Sequence, residues 1–143
     1  MKYNFTDDFW ERIYLNVNRI DPNKLFGSIL YLGMGTCYIP RLQSDNVIKT
    51  TIIEIDDDVI DYNKDIVENS WKVIKADVYY YEPKLLYDFI FIDIFYQKTE
   101  KDIMEALIDK YIPFLKENGK IFYLDSVCRE VDKKKYKDFL IFV

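Results

Sequence analysis

Ser28-Ile29-Leu30-Tyr31-Leu32-Gly33-Met34-Gly35-Thr36-Cys37 is the stretch from which the rest of the chain is read. An apolar run climbs into a Gly-x-Gly turn, the pattern of a strand that ends where a nucleotide can sit. Nineteen residues beyond Gly35, a second apolar run ends at Glu54. Strand, glycine turn and an acid about 20 residues on is the spacing by which a βαβ unit holds a ribose. Two glycines alone carry little; with the acid closing a second strand they predict an α/β, Rossmann-like fold.

Upstream of this unit, residues 4–20 carry Phe5, Phe9, Ile13, Val17 and Ile20 at steps of three and four. That spacing predicts an N-terminal amphipathic helix within residues 1–22. Thr6, Asp7 and Asp8 suit its start through capping and the macrodipole, and Asp21-Pro22 ends it. Downstream, a short helix is expected over 38–44, with Pro40 tolerable in a first turn whose amides have no intrahelical partner. A second strand is expected from Ile48 to Ile55. A helical pattern in Val59, Ile60, Asn63, Ile66 and Val67 then follows Asp56-Asp57-Asp58. A third strand is expected over Lys72–Ala76, ahead of Asp77.

The fourth strand, Tyr87 to Ile94, is apolar on both faces, as a central strand covered by helices must be. A helix over 99–111 is expected to place Ile103, Leu107 and Tyr111 on one face, with Met104 and Ile108 beside them. Asn118-Gly119 closes that segment, Lys120–Leu124 forms a fifth strand, and 138–143 holds a sixth. This alternation predicts a three-layer sandwich: a mostly parallel sheet of about six strands with helices on both faces. The chain is expected to form a single domain over 1–143, with its motifs between 28 and 124.

Composition removes many functions. The 143 residues include no histidine and two cysteines, Cys37 and Cys128. Ser-His triads, His-containing zinc sites and Cys-rich metal sites are therefore excluded, and no metal is expected. Any general base must be a carboxylate, Lys, Tyr or Cys. The net charge of −5 argues against broad nucleic-acid binding, which needs a basic footprint. The cluster Lys133-Lys134-Lys135-Tyr136-Lys137 is read as a solvated stretch. No apolar run reaches the ~20 residues of a membrane span, and the N-terminus lacks a signal-peptide core. A cytoplasmic location without membrane attachment is the expectation. The 17% aromatic content raises the possibility of a homodimer that covers apolar surface.

The chain resembles the class I S-adenosylmethionine-dependent methyltransferases, and within them the spermidine-synthase-like branch. The resemblance rests on Ile29 to Cys37 with the trailing Tyr38-Ile39-Pro40-Arg41, on Ile53-Glu54-Ile55-Asp56 with Val59-Ile60, and on Ala76-Asp77. Tyr87 to Phe95 and Leu115-Lys116-Glu117-Asn118-Gly119-Lys120 complete it. It implies S-adenosylmethionine, or its decarboxylated form, as cofactor. Gly33, Gly35 and Thr36 would line the cofactor. Glu54, with Ile55 beside it, would accept both ribose hydroxyls, Asp77 the adenine amino group, and the Val78 amide would reach a ring nitrogen. Asp93 would stand near the sulfonium and the acceptor, with Tyr96 a second contact; these two are the candidate catalytic residues.

Departures from the pattern are informative. Cys37 replaces the third glycine of the methyltransferase turn, at about 1–2 kcal/mol if its φ is positive. Tyr38 occupies the third glycine of the dinucleotide pattern, which disfavours NAD(P). The branch's N-terminal β-hairpin domain and the acidic pair that grips polyamines are not found, and its C-terminal antiparallel strand pair is cut short. Asp93-Ile94-Phe95-Tyr96 only faintly matches the Asp-Pro-Pro-Tyr motif of amino-methylating DNA enzymes. The reading is a small methyltransferase whose acceptor, a small molecule or otherwise, the sequence does not name. The alternatives are an aminopropyltransferase-like enzyme and a catalytically retired binding or scaffold protein.

Overall fold

The computed structural model describes residues 21–94 and 98–142; the helix expected over 4–20 and the candidate residue Tyr96 lie outside them. Six strands form one sheet: β1 (Gly27–Leu32), β2 (Val47–Glu54), β3 (Trp71–Lys75), β4 (Tyr87–Ile92), β5 (Leu115–Tyr123) and β6 (Leu140–Phe142). Their order is β3-β2-β1-β4-β5-β6, and every neighbouring pair is parallel. Helices α1 (Tyr38–Leu42), α2 (Asp57–Tyr62) and α3 (Lys101–Tyr111) lie in three of the crossovers. This is the Rossmann-like α/β arrangement that the alternation of apolar runs predicts.

The register explains why β4 is apolar on both faces from Phe89 to Ile92. Tyr31, Phe91 and Phe122 stand opposite one another on β1, β4 and β5 and stack at centroid distances of 5.0 and 4.5 Å. Side chains alternate along a strand, so Leu30, Ile90 and Ile121 occupy the other face, each 0% exposed. Both faces are thus dry, as a covered parallel sheet requires.

Three elements differ from expectation. On α3 the buried stripe is Met104, Leu107, Ile108 and Tyr111, while Ile103 is 41% exposed. The stripe follows the i, i+3, i+4, i+7 rule from Met104, which leaves Ile103 at its edge. Strand β5 begins at Leu115, not Lys120, because Asn118-Gly119 does not terminate the preceding segment. Leu115 pairs with Tyr87 and Lys120 with Phe89, so the extra residues bulge out around Asn118, whose φ is 65°. Helix α2 stops at Tyr62, and Asn63 caps it, so Ile66 and Val67 lie in turns beyond its end.

Two crossovers carry no helix. The β3–β4 connection runs through turns over 76–86, and the β5–β6 connection through turns over 124–139. The latter is fastened to α3: the Tyr136 hydroxyl donates to Asp109 Oδ1 at 2.8 Å, and the Asp132 amide donates to Glu105 Oε2 at 2.9 Å.

Candidate cofactor-binding site

From β1 the chain crosses to β2 on one side, and β4 lies on the other. The C-terminal ends of β1 and β4 therefore border the switch point, where open α/β sheets bind ligands. Every described candidate residue lies along this edge. Gly33, Gly35 and Thr36 follow β1, Glu54 and Ile55 close β2, Asp77 and Val78 follow β3, and Asp93 follows β4.

The glycine turn is held closely. Gly33 has φ 100°, and a Cβ placed on it would lie 2.2 Å from the Asp93 carbonyl oxygen. The Gly33 amide donates to the Ile53 carbonyl and the Asp93 amide to the Leu32 carbonyl, each at 2.9 Å. Gly35, with φ 51°, faces open space; its missing Cβ would come no nearer than 4.0 Å to anything, the closest atom being Asp93 Oδ2. The Asp93 carboxylate thus stands across a gap from the Gly35 backbone.

Glu54, 7% exposed, is tied to the turn. Its Oε1 accepts from the Met34 amide at 3.0 Å, and its Oε2 accepts from the Ile55 and Asp56 amides at 3.0 and 3.1 Å. A carboxylate offers about four acceptor positions, so roughly one remains for a ligand hydroxyl. Sequence reading assigned Glu54 a ligand and overlooked this backbone role.

Cys37 adopts φ 58°, ψ 32° at the start of α1 and is 1% exposed. The left-handed cost of about 1–2 kcal/mol therefore applies. Replacing Cys37 by glycine relieves that strain while losing a small buried side chain, so stability is expected to change by less than about 1 kcal/mol. Cys37→Val, a β-branched residue at positive φ, is expected to lose about 2 kcal/mol or more. Urea denaturation of the two variants checks the contrast, and equal losses would mean that strain at this position is negligible.

Beneath the turn, the Tyr31 hydroxyl donates to Gln43 Oε1 and Gln43 Nε2 donates to Thr50 Oγ1, both at 2.7 Å. Burial, with Cys37 adding to it, holds the Tyr31 phenol well above its ordinary range, so it acts as a neutral donor. This chain of bonds pins the end of α1 to β1 and β2.

At the end of β3, Asp77 organises a loop: its Oδ1 accepts from the Tyr79 amide at 2.9 Å, and its carbonyl accepts from Tyr80 and Tyr81. The buried Tyr111 hydroxyl donates to the Val78 carbonyl at 2.6 Å. Burial pushes that phenol up, and Tyr81, Glu82 and Asp77 push it further in the same direction. Ile55 and Tyr80 are exposed on the rim, and Tyr79 is partly so.

Two features were missed in the sequence. Asn63 donates from Nδ2 to the Gly35 carbonyl at 2.7 Å; its signal was a polar residue at a position of apolar helical spacing. A cleft of about 470 Å³ opens beside the start of α3, lined in part by Lys98, Thr99, Glu100, Ser126, Arg129 and Glu130. Its residues come from the segment before α3, the first residues of α3 and the β5–β6 connection, and no local motif marks it. Among the described residues no cluster of His, Cys, Asp and Glu could hold a metal ion, and no helix is long and apolar enough to cross a membrane.

No protein-family model matches the sequence, and no curated protein is similar to it at the level of sequence. Solved structures are similar to it in fold. DhpI, in its complex with SAM and HEP, superimposes with a TM-score of 0.67 at 17% identity, over 82% of this chain and 55% of DhpI. The N-methyltransferase NodS from Bradyrhizobium japonicum WM9 gives 0.64 at 15% identity, over 88% of this chain and 75% of its own. Coclaurine N-methyltransferase, bound to N-methylheliamine and SAH, gives 0.58 at 18%, over 86% of this chain and 38% of its own. The chain thus spans about half the length of DhpI, and what it shares with these proteins is the class I methyltransferase fold.

Proposed function

We propose that this chain binds S-adenosylmethionine at the C-terminal ends of β1 to β4 and transfers its methyl group to a small acceptor. One observation carries the reading: the Asp93 carboxylate faces Gly35 across a gap that a side chain at residue 35 would enter, on a turn anchored by Glu54. The residues fit the cofactor. Gly35 keeps the gap open, the acidic wall suits a cationic sulfonium, and Glu54 retains an acceptor position for a ribose hydroxyl. Asp77, Val78 and the exposed Tyr80 stand where an adenine would lie if the ribose reaches Glu54.

When bound, the cofactor supplies a methyl group on positively charged sulfur. Displacement of that kind depends on alignment and exclusion of water more than on strong acid–base chemistry, which suits a chain without histidine. Asp93 would orient the acceptor and receive its proton. The cleft beside the start of α3, lined by both signs of charge, is a candidate entry for a polar acceptor. The names of NodS and coclaurine N-methyltransferase favour a nitrogen acceptor. The run Tyr38-Ile39-Pro40-Arg41 after the turn favours a second reading, aminopropyl transfer from decarboxylated S-adenosylmethionine. The strained, buried Cys37 favours a third, a binding protein without catalysis.

Thermal shift with S-adenosylmethionine, its decarboxylated form and S-adenosylhomocysteine separates these readings. A ligand at 100 times its Kd adds about 2.7 kcal/mol, and no shift with any of the three would remove both enzyme readings. Asp93→Asn is expected to keep cofactor binding and to lose turnover by roughly 10²–10⁴-fold. Turnover at the wild-type rate would make Asp93 structural.

A further inference from the structure

The geometry points to Asn63 as the residue that sets the working conformation of the glycine turn, an inference that rests on reading that turn as a cofactor cradle. Asn63 follows α2 and is 0% exposed. Its Nδ2 donates to the Gly35 carbonyl at 2.7 Å and to the Val59 carbonyl at 2.9 Å. Both partners are acceptors, so the nitrogen must face them and the oxygen must face away. Oδ1 is then left buried without a hydrogen-bond partner, the one such side-chain atom among the described residues.

An amide with an unpaired oxygen is an expensive way to fill a core, and a leucine of similar size carries no such penalty. What leucine cannot do is hold the Gly35 carbonyl. A trans peptide points its C=O and N–H in opposite directions. Drawing the Gly35 carbonyl toward Asn63 therefore turns the Thr36 N–H to the opposite side of the turn. Glu54 fixes the Gly33–Met34 peptide in the same manner, through the Met34 N–H. Two side chains of the β2–α2 unit thus clamp alternate peptides of a turn whose glycines, at φ 100° and 51°, would otherwise leave it free to move. Asn63 is a positioning residue: it acts on a ligand through Gly35, by organising the turn before binding.

Asn63→Leu and Asn63→Ala test this, with three readouts: the melting temperature of the free chain, NMR hydrogen exchange of the Met34 and Cys37 amides, and S-adenosylhomocysteine affinity by calorimetry. These two amides are bonded within the site, Met34 to Glu54 and Cys37 to the Met34 carbonyl. The Leu variant is expected to melt at or above the wild-type temperature. Both amides should exchange roughly tenfold faster or more, and affinity should fall by about tenfold or more. If Leu does not fold, the Ala variant gives the same two comparisons. A lowered melting temperature with exchange and affinity at wild-type values would make Asn63 a core residue only and overturn the inference. Should the wild-type chain not bind S-adenosylhomocysteine, the cofactor reading falls by itself. The exchange rates then still decide whether Asn63 sets the turn, and unchanged rates in both variants overturn it.

Discussion

Gly33→Ala is expected to unfold the protein or leave it barely folded. The added Cβ would lie 2.2 Å from the Asp93 carbonyl oxygen, 2.8 Å from its carbon and 3.0 Å from Ile94 Cγ2. The first two are backbone atoms and have no rotamer by which to retreat, so the ends of β1 and β4 must part. That movement breaks the bond from the Asp93 amide to the Leu32 carbonyl, and the φ of 100° adds strain of about 1–3 kcal/mol on any non-glycine residue. A total near 4–5 kcal/mol is the size reserved for exceptional substitutions, against a folding free energy of about 5–15 kcal/mol. Gly35→Ala is the control. Its Cβ would meet only Asp93 Oδ2, at an ordinary contact distance of 4.0 Å, so only the backbone cost of roughly 1–2 kcal/mol remains. It should stay folded while its methyl group intrudes on the ligand. Urea denaturation of both variants checks this, and a Gly33→Ala chain as stable as Gly35→Ala would refute the close approach of β1 and β4.

Glu54→Ala is expected to cost both the fold and the ligand. Three backbone amides lose a charged acceptor, and hydrogen bonds of that kind contribute about 1.5–3 kcal/mol each. The Ile55 and Asp56 amides lie at the start of α2, where water can replace the carboxylate. The Met34 amide is buried and has no such recourse. A net loss of roughly 3–5 kcal/mol follows, large enough to blur any binding measurement. Glu54→Gln is the cleaner probe: its single carbonyl oxygen can serve one side of the pair but not both, so it should lose less stability. In that variant cofactor affinity should still fall by about tenfold or more. Affinity at the wild-type level would restrict Glu54 to holding the turn.

The fold was legible because its signals are local and periodic. Gly33, Gly35 and Glu54 stand at the spacing of a βαβ unit, and β4 carries an apolar run that only a covered central strand tolerates. The positions of Glu54, Asp77 and Asp93 at one edge follow from that topology. Their hydrogen bonds do not. That Glu54 accepts from the Met34 amide depends on how the turn folds back, and that Asn63 reaches Gly35 depends on where α2 stops. Neither is a property of spacing. The bulge at Asn118 escaped for a related reason: Asn-Gly marks a turn, but pairing with Tyr87 and Phe89 decides whether the strand resumes. At Cys37 sequence alone does not fix the sign of φ, and the backbone angle of 58° decides for strain.

The parallel sheet also dictates when the site can exist. Among the described residues no strand pairs with its sequence neighbour through a hairpin, and β1 meets β4 only across 60 residues, Ile29 standing opposite Phe89. Pairings between distant segments form late, since chain entropy must be lost before contacts return anything. During synthesis β1, β2 and β3 can associate before β4 has emerged, yet Gly33 and Asp93 cannot face each other until it inserts beside β1. A ligand that needs both walls of this crevice would therefore bind no earlier intermediate, and its presence would favour the insertion of β4 beside β1.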